Sequence, residues 1–123
     1  MLGGAIGSAA RFWLSTLITE RVSDLLPWGT LAVNVIGSFV IGLVYALSSP
    51  GSPVFIQAEV RTFIMIGLLG GFTTFSSFSL QTLTLMQSGE WLYASLNVFV
   101  SVMGCLVAVF LGALAGNWWV SRI

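Results

Sequence analysis

Apolar residues run through this chain in four long blocks separated by three short polar interruptions, and each block is long enough to be read as a membrane-crossing helix. The blocks cover Leu2 to Thr19, Trp28 to Leu47, Arg61 to Met86 and Trp91 to Trp119. A span needs about 20 residues, so the last two are long, and tilt or a kink is expected of them. Between the blocks lie Glu20 to Pro27, Ser48 to Val60 with Pro50, Gly51 and Pro53, and Gln87 to Glu90. None of these can hold a separate soluble domain. Trp28, Trp91, Tyr93, Trp118 and Trp119 fall near the predicted ends, where amphipathic rings favour the headgroup level. The pattern predicts an all-α membrane protein of four spans, with residues 1–123 forming one transmembrane domain.

The third block carries an anomaly, the decapeptide GGFTTFSSFS from Gly70 to Ser79. Each glycine costs a helix about 1 kcal/mol relative to alanine. In lipid the main-chain groups freed by unwinding must find partners inside the protein, so such breaks survive mainly where they line a cavity or bind an ion. A helix broken near Gly70 to Thr74 is predicted, with function beside it.

Composition removes whole classes of function. At 57% hydrophobic and 7% charged, with a mean hydropathy of +1.02, the chain lacks the polar surface to cover a soluble globule. There is no histidine, and one cysteine, Cys105, allows no intrachain disulfide. Without a paired-cysteine motif or a P-loop, a metalloenzyme or nucleotide-driven pump is not indicated. The chain reads as no enzyme, and a net charge of zero gives nucleic acid nothing to bind. No positive residue precedes the first block and Arg11 falls inside it, so it reads as a retained helix rather than a signal peptide. If the termini share a side, that side carries Arg61 and Arg122 and the other Arg21. Such a bias is nearly nil. It fits either a weakly biased single orientation or insertion both ways, which would permit an antiparallel homodimer. No internal repeat supplies inverted halves, so a second chain would have to.

Polar residues within the blocks are the candidate chemistry. Phe72, Phe75 and Phe78 recur every three residues, so Phe75 and Phe78 can stack on one face. Thr73, Thr74, Ser76, Ser77 and Ser79 interleave with them. The stripe is either packing or a lining in which positive ring edges and hydroxyls face an anion. Asn34, with Ser38 one turn later, either pairs with another helix or donates to a permeating ion. Asn97, Ser101 and Cys105 form a stripe at steps of four. Gly3 with Gly7, Gly67 with Gly71 and Gly112 with Gly116 are small-residue packing pairs. Arg11 is a charge within a span, functional or paired unless it snorkels to an interface. Glu20, Asp24, Glu59 and Glu90 all fall at ends or in loops, which favours passive conduction over proton-coupled exchange.

The segments GGFTTFSSFS, NVIGS from Asn34, GSAARFWLS from Gly7 and WGTLAVN from Trp28 together resemble the small dual-topology fluoride channels, the Fluc or CrcB family. The resemblance extends over essentially the whole chain, and the first motif is the specific one. It implies a fluoride-selective channel of a prokaryotic cell's inner membrane that exports fluoride passively, built as an antiparallel homodimer with two pores along the subunit interface. Phe75 and Phe78 would be the pore-lining rings and Asn34 the pore-facing amide. Thr74, Ser76 and Ser77 would belong to the nearby polar lining, and Arg11 matches the family's first-helix arginine. Gly70 and Thr73 match positions whose main-chain carbonyls, doubled by the two-fold, hold a structural sodium ion. Partners would be a second copy, fluoride and the bilayer.

The chain departs from the family pattern in places. Gln81 stands where relatives often have glutamate, and Cys105 where they have serine, which leaves Ser101 as the lining hydroxyl of that span. The chain also starts a few residues late. The chief rival is a small four-helix multidrug exporter, proton-coupled through a carboxylate in its first helix. Leu14, Ser15 and Thr16 occupy that place here. A non-conducting scaffold is a third reading, and it leaves the broken helix unexplained.

Overall fold

The computed structural model describes residues 1–21, 26–52 and 56–123. Asp24 and Pro53 lie outside the described residues. The elements run α1 (Leu2–Arg21), α2 (Trp28–Leu47), α3 (Ala58–Thr62), a π-helical turn (Phe63–Leu68), α4 (Leu69–Phe72), α5 (Phe75–Gln87) and α6 (Trp91–Arg122). Three helical stretches, Trp28–Leu47, Ala58–Gln87 and Trp91–Arg122, are long and apolar enough to cross a membrane. The first predicted span is a helix of 20 residues, but Arg11, Glu20 and Arg21 lower its hydropathy. The third begins at Ala58, three residues before the predicted Arg61, so Glu59 and Arg61 are helical.

Small residues set the packing, as they must where helices meet in lipid with little hydrophobic drive between them. Gly3 lies against Gly67, Gly4 against Gly71, and Gly7 against Leu68 and Phe72. The two series rise together, so α1 and the third span run parallel. Gly112 sits on the Phe39 carbonyl and Gly116 on Leu43 and Ala46, so α2 and α6 are parallel as well. Gly29 at the start of α2 meets Ser15 and Thr19 near the end of α1, which makes that pair antiparallel. Gly89, at φ +78°, takes the left-handed turn that reverses α5 into α6. The chain therefore crosses back and forth.

The protein's interior is narrow and partly polar. Val33, Ala46, Leu69, Ala94 and Ala108 form the buried apolar core, while Thr30, Thr74, Thr82, Asn97 and Ser101 are buried polar groups. Large apolar side chains such as Phe12, Trp13, Ile66, Phe99 and Phe110 point outward. In water such a surface would aggregate, and in a bilayer it is the lipid-facing surface.

Candidate functional site

The third span breaks at Thr73 and Thr74, whose backbones are extended at φ −79°, ψ 158° and φ −150°, ψ 116°. The break falls at the far end of the predicted stretch Gly70 to Thr74, and Gly70 and Gly71 themselves remain helical in α4. Gly71 has a different task. A Cβ there would lie 2.6 Å from the Gly4 carbonyl oxygen, so glycine is required for α1 to approach. Upstream, the Leu69 N–H donates to the Ile64 carbonyl five residues back, the π register often found near functional sites. The sequence carried no period that would have announced it.

Asn34 makes the break affordable. Its Oδ1 accepts from the Thr74 N–H at 2.7 Å and its Nδ2 donates to the Thr74 carbonyl at 2.9 Å. One amide thus satisfies both main-chain groups of a residue that has left the helix. Thr74 in turn caps α5, its Oγ1 accepting from the Ser77 N–H at 3.1 Å. The Ser77 and Ser76 hydroxyls lie 3.1 and 3.3 Å from the same oxygen. Of the two readings of Asn34, helix pairing is present in the structure, and the second N–H of the amide is left for another partner.

Two kinds of dipole end meet at the break. In a continuous helix the Gly70 carbonyl would receive the Thr74 N–H, but that group is committed to Asn34. The Thr73 carbonyl accepts from Arg11 Nη1 at 3.5 Å, so Arg11 is paired with the break. Main-chain carbonyls suit a hard cation. Among the described residues no cluster of three His, Cys, Asp or Glu side chains is placed to hold a metal, so carbonyls are the donors on offer. Gly70 fits that role, and Thr73 fits it where Arg11 yields. On the other side, the N-terminus of α5 presents N–H groups with the positive end of the helix dipole.

A cavity of about 440 Å³ opens beside the break. It brings together Asn34, Thr74, Phe75, Phe78 and Ser101 of the predicted pathway, with Gly70 and Thr73. The Phe75 and Phe78 ring centroids are 5.3 Å apart and tilted by 49°. Phe75 is 76% exposed in the single chain, so the cavity's outer wall is open. Ser38 and Cys105 line it too, both on stripes legible in the sequence. Arg11, Ser76 and Ser77 are not among its lining residues. Arg11 lies behind the break on Thr73, and Ser76 and Ser77 cluster on the Thr74 cap.

Sequence reasoning missed a second polar cluster. Asn97 Nδ2 donates to Thr82 Oγ1 at 2.8 Å, the Thr82 hydroxyl donates to the Phe78 carbonyl at 2.8 Å, and the Ser101 hydroxyl donates to Asn97 Oδ1 at 3.3 Å. The Asn97 and Ser101 stripe was visible, but Thr82 as its partner required the α5 to α6 hairpin. Gln81 Oε1 is buried without a hydrogen-bond partner among the described residues. Glu20 and Glu59 lie in terminal turns and Glu90 precedes α6, so no described carboxylate is mid-span.

Comparison with known proteins agrees with this picture. Residues 1–113 match the family described as CrcB-like protein, Camphor Resistance (CrcB). A Paramagnetospirillum magneticum protein named fluoride-specific ion channel FluC is 56% identical, covering 94% of this chain and 91% of that relative. Proteins of the same name from Rhodospirillum rubrum and Opitutus terrae are each 54% identical, covering 89% and 93% of this chain and 85% and 86% of the relatives. The broken third span, the ring pair and the Asn34 clamp thus belong to a multi-pass membrane protein, and the chain is a member of the CrcB family.

Proposed function

We propose that this chain forms a passive fluoride-selective channel that lets fluoride leave the cytoplasm across the inner membrane, as an antiparallel homodimer with two pores. The observation that carries this reading is the convergence of the ring pair, Asn34, Thr74 and Ser101 on one open cavity at a helix break, in a chain whose relatives are named fluoride channels.

A bare small anion moved into low dielectric loses tens of kcal/mol of hydration. Neutral donors replace that water piecemeal: the free N–H of Asn34, hydroxyls that rotate to the ion, the ring edges of Phe75 and Phe78 and the N-terminus of α5. None carries a full charge that would trap the ion, and conduction requires release. The positive charge of Arg11 sits behind the Thr73 carbonyl rather than in the cavity, where it raises the anion's local concentration without binding it tightly. A second copy closes the open wall over Phe75. Its two-fold would bring the Gly70 carbonyls of both chains, and those of Thr73 where Arg11 yields them, around a structural sodium ion that would supply fixed positive charge between the pores.

The test is fluoride efflux from loaded liposomes with an electrical shunt. Wild type is expected to pass fluoride far faster than chloride, and Phe75→Ile or Phe78→Ile to suppress it at least tenfold, the loss expected when about 1.4 kcal/mol of barrier stabilisation is removed. Efflux equal to that of empty vesicles rejects the reading. Efflux driven by a proton gradient would favour the exporter.

A further inference from the structure

Asn97 is the most buried polar side chain of the described residues, at 3% exposure, and its bonds leave no choice about where protons lie. The Phe78 carbonyl can only accept, so the Thr82 hydroxyl must donate to it. Thr82 Oγ1 has then spent its single proton and can only accept, so Asn97 must turn its Nδ2 toward Thr82. That leaves Oδ1 facing Ser101, and an amide oxygen accepts, so the Ser101 proton points at Asn97. The direction of every bond follows from one carbonyl.

Ser101 lines the same cavity as Phe78. With its proton on Asn97, it turns lone pairs toward the cavity, which repel an anion. We propose that Asn97 is a positioning residue that parks the Ser101 proton away from the ion path and thereby keeps anion binding weak. This rests on the channel reading above. When fluoride reaches Ser101, the hydroxyl rotates and donates to the ion. Asn97 Oδ1, pinned by Thr82 and cut off from water, then loses its partner. A buried acceptor without a partner is costly, so the new bond is largely offset by the old one. The ion is received and released again as the Ser101 hydroxyl turns back to donate to Asn97 Oδ1. A serine free of this tie would hold fluoride longer.

The test measures fluoride flux against fluoride concentration in liposomes. Asn97→Leu removes the competing acceptor, and the half-saturating concentration is expected to fall about fivefold, the equivalent of one net hydrogen bond, with a lower maximal flux. In a Ser101→Ala background, where no proton can be parked, Asn97→Leu is expected to leave half-saturation unchanged. A fall in maximal flux at unchanged half-saturation, or the same fivefold shift in both backgrounds, overturns the proposal in favour of a packing role. Wild-type protein in micelles gives a readout independent of variant folding: the Asn97 side-chain amide resonance should move on adding fluoride and stay put with chloride. A resonance indifferent to fluoride while wild type conducts overturns the parked proton and leaves the channel reading standing. Wild-type flux at the level of empty liposomes sinks that reading, and this proposal with it.

Discussion

Asn34 holds both polar groups of the Thr74 backbone, so replacing it does more than delete a donor from the cavity. Asn34→Leu leaves a main-chain N–H and a carbonyl without partners at a depth where water is scarce, and about 1–3 kcal/mol of stability is expected to go. Thermal unfolding in detergent measures the loss, and hydrogen exchange locates it if the Thr74 and Ser77 amides lose protection first. Asn34→Gln keeps an amide acceptor for the Thr74 N–H and a donor for its carbonyl on a longer arm, and is expected to be milder. Equal stability of all three proteins would show that the clamp holds nothing. Gln81 supplies the opposite sign. Its buried Oε1 has no partner among the described residues, so Gln81→Met, similar in length and without the orphaned acceptor, is expected to raise stability by about 1 kcal/mol. A melting temperature at or below wild type would mean that the oxygen finds a bond when the chain is assembled.

The helices and their order were legible because a span writes its length into an unbroken apolar run. The second span matches its predicted bounds, Trp28 and Leu47, at both ends. The break was legible in kind and, to within Gly70 to Thr74, in place, but not which of those residues unwind. Two glycines mark weak helix by propensity, but propensity is silent on what packs nearby, and the tertiary demand of α1 claims Gly71 for close approach. Unwinding falls instead where an outside partner, Asn34, receives the freed groups. The π turn and the link from Thr82 to Asn97 were illegible for a related reason, since both depend on which helix lies opposite. Glycine substitutions test this division of labour. Gly71→Ala forces a methyl against the Gly4 backbone and is expected to cost about 1–3 kcal/mol, the usual range for overpacking. At Gly70 the nearest atom to an added Cβ is the Met65 carbonyl oxygen, 3.8 Å away, so Gly70→Ala is expected to leave the fold of the single chain intact. If both substitutions melted the protein alike, the glycines would be acting as hinge residues after all.

At the scale of the molecule, one chain leaves its cavity open at the surface. The cavity is open on one side, Phe75 is largely uncovered, and a fluoride ion there would touch acyl chains. A second copy on this face would remove that exposure, and the proposed antiparallel pairing makes a geometric demand. With the two-fold in the membrane plane, a residue at mid-depth near the axis meets its own counterpart, whereas one at a span end meets the opposite end of its partner. Thr73 lies at the break, in the middle of the span running from Ala58 to Gln87, and Trp91 opens α6 at one end. On a Cys105→Ser background, Thr73→Cys is therefore expected to cross-link to itself across the pair with a short oxidant, and Trp91→Cys is not. A parallel pair using the same face would bring equivalent span ends together and leave both sides of the membrane unlike, so a single-cysteine variant at a span end would label from one side only. Self-cross-linking at Trp91→Cys with one-sided labelling would overturn the antiparallel arrangement while leaving conduction by the cavity intact. Labelling from both sides with cross-linking confined to Thr73→Cys is the outcome expected of a chain whose Arg21, Arg61 and Arg122 give it so little preference for facing either way.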